Sequence, residues 1–178
     1  MTLPALTTAR LVLRPVSLDD VDALHQLWTE PDVRRYLWDD VIIPRERAEE
    51  TVRDMLASVA DQLGLWVAID RESNELAGFC ALIRREGEEA PELMYGLTPR
   101  FWGRGLATEA SRALLTYAFG TLECTRVTAA TDVPNAASVR VMERLGFRFY
   151  RRGLLNNLDT LFYEIDRARF TESDTARR

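Results

Sequence analysis

The sequence contains no lysine, so all 23 of its basic residues are arginines. A phosphate-binding P-loop needs a lysine beside the β- and γ-phosphates, and a Schiff-base enzyme needs a lysine amine, so both classes are excluded. The single histidine, His25, excludes zinc sites built from several histidines, and we expect no metal site. A Ser-His-Asp triad would have to use this histidine, which lies in an amphipathic helical segment. Cys80 and Cys124 are far apart, which favours two reduced thiols in or near the core over a disulfide.

Acidic residues outnumber basic residues by 28 to 23, which gives a net charge of −5. A general nucleic-acid-binding protein needs a positive surface that displaces counterions, so we expect no nucleic-acid partner. No apolar run approaches the roughly eighteen residues of a membrane span. The N-terminal residues lack the basic-then-apolar layout of a signal peptide. We therefore expect no membrane contact and a cytoplasmic location.

The chain of 178 residues suits one domain. Hydrophobic periodicity predicts strands at residues 10–14, 65–69, 76–83, 92–97, 126–131, 147–151 and 161–165. It predicts helices from about residue 21, then at 33–38, 44–59, 105–119 and 135–145. We assign residues 1–166 to a single mixed α/β domain and residues 167–178 to a polar C-terminal tail.

The most informative stretch is Pro99-Arg-Phe-Trp-Gly-Arg-Gly-Leu-Ala-Thr-Glu-Ala110, where a predicted strand runs through a glycine loop into a helix. The first N–H groups of a helix have no partner inside it, and the helix dipole places about half a positive charge there. Gly103 and Gly105 let the main chain approach a ligand closely, and two arginines add positive charge. This arrangement suits a diphosphate, although an ordinary strand–helix turn can carry the same glycines. A dinucleotide-binding fingerprint is excluded because Thr108 stands where its third glycine belongs.

A second motif follows further along the chain, where Asn135-Ala-Ala-Ser138 opens a helix pattern that ends at Gly146-Phe147. Asparagine and serine at a helix start commonly cap the helix, so a structural role explains these two residues as well. The glycine loop and this helix start are more distinctive together than either is alone.

Together these motifs resemble the GNAT N-acetyltransferase superfamily. Its Gln/Arg-x-x-Gly-x-Gly/Ala loop is matched by Arg100-x-x-Gly103-x-Gly105, and its second motif by Asn135…Gly146-Phe147. The ribosomal-protein N-terminal (alanine/serine) acetyltransferase branch is resembled at Thr8-Ala-Arg10-Leu-Val-Leu-Arg14, Glu92-Leu-Met-Tyr95, Trp102-Gly-Arg-Gly-Leu-Ala-Thr-Glu109-Ala and Asn135-x-x-Ser138. The resemblance spans roughly residues 7–165.

The resemblance implies a central, mostly antiparallel sheet of about seven strands flanked by helices. It also implies transfer of acetyl from acetyl-CoA to a primary amine, by direct attack in a ternary complex. The amine would belong to a protein N-terminus or to a small molecule. Many relatives pair through their last strands, so a homodimer is a plausible assembly.

In this family the glycine loop holds the pyrophosphate through main-chain N–H groups. The end of the preceding strand pairs with the pantetheine arm, and its N–H can polarise the thioester carbonyl. The positions that the resemblance assigns to coenzyme binding are Leu97, Thr98, Arg100, Phe101, Trp102, Gly103, Arg104, Gly105, Leu106, Ala107, Thr108, Asn135 and Ser138.

The reaction also needs a base for the protonated amine and a proton donor for the departing thiolate. Many superfamily members carry a tyrosine seven residues after the motif asparagine, where this chain has Met142. Ser138 is therefore our hypothesis for the donor, with a cap or helix-face hydroxyl as its alternative role.

Glu92 is our first choice for the base, with a solvated carboxylate beside the Arg84-Arg85 turn as its alternative. The branch can carry another glutamate shortly after the second motif, where this chain offers only Asn156 and Asn157. That difference leaves room for a base acting through water, or for an acceptor that needs none.

Two rival functions stay open at this stage. One is a non-catalytic module of the same fold that binds or senses a CoA thioester, and the other is a plain scaffold protein. The acceptor is expected to contact the N-terminal helices and the loops around Trp28–Trp38 and Arg151–Asp159. Trp28, Tyr36 and Trp38 can wall an acceptor pocket or belong to the core.

Overall fold

The computed structural model describes residues 3–175. In that part of the chain the strands are β1 (Leu6–Thr7), β2 (Leu11–Pro15), β3 (Gly64–Asp70), β4 (Leu76–Ile83), β5 (Glu92–Leu97), β6 (Arg126–Asp132), β7 (Arg148–Leu155) and β8 (Leu158–Asp166). The α-helices are α1 (Val21–Thr29), α2 (Pro31–Leu37), α3 (Arg45–Ala57), α4 (Leu106–Gly120), α5 (Ala136–Leu145) and α6 (Arg167–Thr175). The predicted mixed α/β class is confirmed.

The strands form one sheet in the order β1-β2-β3-β4-β5-β6-β8-β7. The neighbouring strands are antiparallel except β5 and β6, which are parallel and joined through the crossover helix α4. Within residues 3–175, β5 and β6 share a single register pair, Glu92 with Thr128. The two strands therefore separate toward their C-terminal ends, and a cleft opens through the middle of the sheet.

The sheet has one strand more than the seven that the sequence predicts. The additional strand is β1, which pairs with β2 over only two residues, Leu6 with Leu13 and Thr7 with Val12. A two-residue strand is too short to show the alternation of apolar and polar residues by which strands are recognised in a sequence.

Helices cover both faces of the sheet, and each face has its own apolar core. Helices α1, α2 and α3 pack on the face that carries Phe79, Ala81 and Met94. Helices α4 and α5 pack on the other face, where β5 contributes Leu93 and Leu97. Because side chains alternate along a strand, neighbouring residues of β5 point into different cores. The cleft therefore connects an α1–α3 face with an α4–α5 face.

The last two strands form a longer hairpin than the sequence predicts, because residues 152–155 and 158–160 also pair. The turn between them consists of Asn156 and Asn157, with φ angles of 50° and 65°. Two successive residues with positive φ match the type I′ turn that suits a two-residue hairpin, and asparagine tolerates this conformation. The segment predicted as a loop is thus the tip of a hairpin.

Residues 167–175 form helix α6, within the segment that the sequence predicts to be a polar tail. Phe170 is the anchor, since its ring is buried and lies 5.3 Å from that of Phe119. Arg169 Nε also donates to the Gly146 carbonyl at 2.5 Å. A single aromatic residue among polar ones gives little hydrophobic periodicity, which explains why the sequence does not predict this helix. Residues 176–178 of the predicted tail lie outside the described part.

Among residues 3–175, no helix combines the length and the hydropathy that a bilayer crossing requires.

Candidate active site

The glycine loop forms the N-terminal end of α4. Gly103 and Gly105 have φ angles of 73° and 76°, a region that residues with a side chain rarely adopt. Gly105 is the N-cap of the 15-residue helix. No acceptor among residues 3–175 takes a hydrogen bond from the main-chain N–H groups of residues 103–108. Six successive donors therefore lie at the positive end of a long helix, which is the chemistry that binds a diphosphate.

A clamp fixes this loop to the start of the chain, and we define it as Thr8, Arg10 and Glu109. The Glu109 carboxylate accepts hydrogen bonds from Thr8 Oγ1 at 2.6 Å, from the Arg10 N–H at 2.8 Å and from Arg10 Nε at 2.7 Å. Arg10 Nη1 also donates to the Arg104 carbonyl at 2.8 Å. Burial raises the pKa of Glu109, but these hydrogen bonds outweigh it and hold the pKa below its ordinary value. The clamp therefore ties the Arg104 carbonyl and the first turn of α4 to the residues before β2.

The arginine side chains of the loop are occupied by carboxylates. Arg100 Nη1 lies 2.9 Å from Glu75 Oε1, and Arg104 Nη2 lies 3.9 Å from Asp70 Oδ1. Both guanidinium groups also lie near the ring of Phe101, at 4.9 and 5.5 Å from its centroid. The positive character of the loop facing the cleft is therefore a property of the main chain more than of these side chains.

The end of β5 presents main-chain groups to the cleft. The Thr98 N–H donates to the Ala77 carbonyl of the neighbouring chain segment at 2.9 Å, so it is not available to a ligand. Hydrogen-bonding direction alternates along a strand, so the Leu97 N–H points the opposite way, toward β6. The Leu97 carbonyl accepts from Trp102 Nε1 at 2.7 Å. Of the two predicted strand-end residues, Leu97 is the one whose N–H can meet an acyl carbonyl.

A pair of hydroxyl groups crosses the cleft between β5 and α5. Tyr95 Oη lies 2.8 Å from Ser138 Oγ and 3.1 Å from the Ser138 carbonyl. Asn135 caps α5, because its Oδ1 accepts from the Ser138 N–H at 3.2 Å. Burial raises the pKa of the Tyr95 phenol above its ordinary value, and the hydrogen bond with Ser138 opposes this only in part. The phenol is therefore a neutral hydrogen-bond donor beside the predicted catalytic serine.

Glu92 is buried at the start of β5 with 6% of its surface exposed, not solvated as the alternative interpretation supposes. Both of its carboxylate oxygens accept from Arg85, at 2.5 Å from Nε and 2.7 Å from Nη2. A bidentate pair of this kind occupies both carboxylate oxygens with charge-assisted hydrogen bonds. Taking a proton from a substrate would require Glu92 to give up part of this pair.

One continuous cleft of about 650 Å³ joins these parts. Its walls include Gly103, Gly105 and Thr108 at one end, Tyr95 and Ser138 in the middle, and Tyr36 at the other end. Thr108 Oγ1 is buried and has no hydrogen-bond partner within the described residues, which leaves it available to a ligand bound at the glycine loop. The residues present therefore fit a diphosphate-bearing coenzyme.

Comparison with known proteins agrees with this geometry. The acetyltransferase (GNAT) domain family matches residues 10–148. The chain belongs to the GNAT acetyltransferase family. It is 32% identical over 161 residues to p20 of Bacillus licheniformis, an uncharacterized N-acetyltransferase, with 86% of each chain covered.

Two further relatives of this GNAT chain have named substrates. The spermidine N(1)-acetyltransferase of Escherichia coli K12 is 26% identical over 136 residues, which cover 76% of this chain and 71% of that protein. The structure of the ribosomal L7/L12 α-N-protein acetyltransferase RimL in complex with coenzyme A superposes with a TM-score of 0.79 at 22% identity, and the match covers 92% of this chain and 98% of that one. At this identity the likeness establishes the fold alone.

The side of the GNAT cleft opposite the glycine loop is lined from α2. Tyr36 lines it, whereas Trp28 is buried and packs against Trp38 at 5.7 Å and Phe79 at 6.0 Å. Of the three aromatic residues considered for an acceptor wall, Tyr36 therefore lines the cleft and Trp28 belongs to the core. The hairpin tip contributes Asn156.

The cysteines of this GNAT domain are both free, Cys80 buried and Cys124 half-buried. Cys80 is the register partner of Tyr95 across β4 and β5, and burial raises the pKa of its thiol to about 12. A thiol that stays protonated is a poor nucleophile. In the described part of the chain, no three metal-ligating side chains group together.

Sequence reasoning misses Tyr95 as a site residue, although the motif Glu92-Leu-Met-Tyr95 contains it. A tyrosine in a half-buried strand is an ordinary core residue, and only the fold shows that it meets a helix start 43 positions away. The alternation of side chains along β5 could have placed Tyr95 on the same face as Leu93 and Leu97.

Proposed function

We propose that this protein transfers an acetyl group from acetyl-CoA to a primary amine, by direct attack within a ternary complex. The observation that carries the proposal is the row of six free N–H groups on a glycine loop that opens into the same cleft as the Tyr95–Ser138 pair. When bound, acetyl-CoA would supply a thioester, an activated acyl group with a thiolate as leaving group.

The chain's own residues have separate tasks in this proposal. The N–H groups of residues 103–108 hold the pyrophosphate, and the Asn135 amide hydrogen-bonds the coenzyme from the other side. The Leu97 N–H donates to the carbonyl oxygen on which negative charge develops. Ser138 donates a proton to the departing sulfur, and the adjacent Tyr95 hydroxyl orients the serine. The remaining cofactor positions, Arg100 to Trp102, shape the loop around these donors.

Direct attack is favoured over a covalent acyl-enzyme because Cys80, the thiol opposite Tyr95, stays protonated. The acceptor would enter from the α1–α3 face, since the glycine loop and Ser138, which would contact the coenzyme, belong to α4 and α5 on the other face. The acidic balance of the chain suits a cationic amine. The named relatives act on spermidine and on a ribosomal protein N-terminus, so both amine classes belong in the test.

The first experiment is calorimetry with CoA, followed by a thiol-release assay with acetyl-CoA over a panel of amines. The panel contains spermidine, a peptide beginning with alanine, a peptide beginning with serine and an aminoglycoside. We expect CoA binding and thiol release with at least one amine. Binding without thiol release would favour the alternative of a CoA-thioester-sensing module, and absence of binding would contradict both functions.

The predicted homodimer and cytoplasmic location stay predictions. The sheet ends at β7, an edge strand whose Phe149 and Leu154 are exposed. Sedimentation of the purified protein at several concentrations measures the oligomeric state directly.

A further inference from the structure

A second carboxylate lies at the acceptor side of the cleft, on the last residue of β6. Val127 and Ala129 of this strand are buried in the α4–α5 core. Because side chains alternate along a strand, Asp132 points to the opposite face, on which α1–α3 pack. Asp132 is half-buried and lines the cleft together with Asn135 and Ser138.

The position of Asp132 along the cleft coincides with the end of β5. Glu92 is level with Thr128, and the two strands are parallel. Four residues further along each strand, Gly96 is level with Asp132, at the point where the strands have separated. The carboxylate therefore faces the segment whose Leu97 N–H points into the cleft, from the face opposite to the Tyr95–Ser138 pair.

The Asp132 carboxylate has no cationic partner among the described residues, unlike the carboxylates near it. Glu92 is paired with Arg85, and Asp159, beside the β8 partner of Asp132, is paired with Arg152. Burial raises the pKa of Asp132, and the negative charge of Asp39 raises it further. A carboxylate whose basicity is increased in this way is better suited to accept a proton than one that an arginine neutralises.

Other charged or titratable groups line the same cleft from every element around Asp132. They are Asp32, Tyr36 and Asp39 from α2 and the loop after it, the Arg85–Glu92 pair beside β5, and Arg140 and Arg144 from α5. Of these, Asp39 is the one whose negative charge raises the pKa of Asp132.

We propose that Asp132 is the catalytic base, which removes the proton from the ammonium group of the acceptor at the α1–α3 face. The inference rests on the proposed function and names the base of the same site. It places proton removal and proton donation on opposite faces of the sheet, with Asp132 on one side and Ser138 on the other.

The proton and bond changes balance as follows. Asp132 takes one proton from R–NH₃⁺, and the lone pair of the resulting amine forms the C–N bond with the thioester carbonyl carbon. The C–S bond breaks, and the sulfur takes the proton of Ser138 Oγ. The second N–H proton of the attacking nitrogen passes to Ser138 and restores its hydroxyl. Asp132 then releases to solvent the proton that it took. The products are the amide, CoA thiol and one released proton.

The test is the Asp132→Asn substitution, which keeps the size of the side chain and removes its basicity. We expect kcat/KM for spermidine, or for the best amine of the panel, to fall by about 10²-fold at pH 7. An O-alkylhydroxylamine, whose nitrogen is already neutral at pH 7, should lose less than about threefold, because it needs no base to become a nucleophile. The dissociation constant for CoA should be unchanged.

The pH profile provides a second readout. The wild-type kcat/KM should decrease as pH falls through the raised pKa of Asp132, and this limb should be absent from Asp132→Asn. Asp39→Asn should move the limb to lower pH, because it removes a negative charge that raises the pKa. Titration of the ¹³C-labelled carboxyl groups by NMR measures the same pKa without catalysis.

Glu164→Gln is the matched control, since it removes a carboxylate of the neighbouring strand β8 that is paired with arginines and does not line the cleft. It should keep the wild-type rates with both acceptors. Equal losses of Asp132→Asn toward both acceptors, or a loss below threefold toward the protonated amine, would overturn the assignment. A wild-type protein that binds CoA and releases no thiol with any amine contradicts the proposed function itself, and the base with it.

Discussion

The glycine loop and the acceptor face lie at the two ends of one cleft and present different chemistry to it. At the loop, the groups without a partner are main-chain N–H groups, and the charged side chains nearby are bound to one another. At the acceptor face, Asp132 and Tyr36 line the cleft, and Asp132 has no cationic partner within residues 3–175. Because one end depends on backbone conformation and the other on single side chains, substitutions at Asp132 or Tyr36 should leave the conformation of the glycine loop unchanged.

The largest expected effect lies where the two ends meet. Ser138→Ala should lower kcat by about 10²-fold, because the departing sulfur loses its proton donor. The KM for acetyl-CoA should change little, since the N–H groups of the glycine loop are intact. Steady-state thiol-release kinetics measure both quantities.

Tyr95→Phe is the companion variant, because it keeps the serine and removes the hydroxyl 2.8 Å from it. It should lower kcat by less than Ser138→Ala does, at about tenfold. A loss below about threefold in Ser138→Ala would remove the serine from the mechanism.

Glu109→Gln tests whether the clamp of Thr8, Arg10 and Glu109 fixes the conformation of the glycine loop. The amide accepts fewer hydrogen bonds than the carboxylate and carries no charge for Arg10, so the loop should lose its fixed orientation. We expect the KM for acetyl-CoA to rise about tenfold, equivalent to ~1.4 kcal/mol, with kcat within about twofold. A rise in KM without a fall in kcat is the signature of binding lost equally from the ground and transition states.

Glu164→Gln is the control for Glu109→Gln, because Glu164 is also held by arginines, Arg126 and Arg148, at 3.1 and 2.9 Å. It should leave the KM for acetyl-CoA unchanged. The folded-state pKa of Glu109 is lowered, so its contribution to stability is fully present above the ordinary pKa of about 4.3. The difference in Tm between wild type and Glu109→Gln should therefore shrink as pH falls through the lowered pKa, and a difference that stays constant would contradict this account.

Glu92→Gln separates the two carboxylates of the acceptor face. The substitution removes the charge partner of Arg85, so Tm should fall, since breaking a buried pair leaves an uncompensated charge. If the base is Asp132, kcat should decrease by less than about threefold, far less than in Asp132→Asn. A loss of 10²-fold with unchanged Tm would instead return Glu92 to the role that the sequence predicts for it.

Glu92→Gln and Asp132→Asn should change the stability of the protein in opposite directions. The folded-state pKa of Asp132 is raised, so the folded protein binds more protons than the unfolded chain between the two pKa values, and stability falls as pH rises through that range. Asp132→Asn should consequently have a Tm at pH 7 no lower than that of wild type. Thermal unfolding of both variants measures this contrast, which is typical of a group retained for activity and not for stability.

The conformation of the glycine loop could be predicted from the sequence because its signals are local. Gly103, Gly105 and the helix start lie within a few residues, and each is the residue type that positive φ or a free N–H requires. Asn135 at the N-cap of α5 is local in the same way. Strand and helix order followed from periodicity for the same reason.

The contacts of Tyr95, Ser138 and Asp132 could not be predicted in this way because they join distant parts of the chain. Tyr95 and Ser138 meet only because β5 and α5 flank the cleft, and Asp132 is an ordinary strand-end residue until the sheet shows which face it occupies. The pairing of Glu92 with Arg85 depends on how the loop after β4 returns to β5. Burial and pairing decide the chemistry of a carboxylate, and neither can be read from residue type alone.

Arg100→Ala has the smallest expected effect. It tests whether CoA binding at the glycine loop depends on main-chain N–H groups more than on arginine charge. The Arg100 guanidinium is bound to Glu75 at 2.9 Å and half-exposed, so removing it should change the local charge little. The dissociation constant for CoA should rise by less than about threefold. Calorimetry at two salt concentrations should show nearly the same change in this dissociation constant for variant and wild type, because few phosphate contacts are lost. Glu75→Gln is the matched variant, since it frees Arg100 and should leave CoA binding unchanged or slightly tighter. A tenfold loss of CoA affinity in Arg100→Ala would show that the arginine leaves Glu75 when coenzyme binds. Side-chain charge would then contribute to CoA binding as much as the main-chain N–H groups of the glycine loop do.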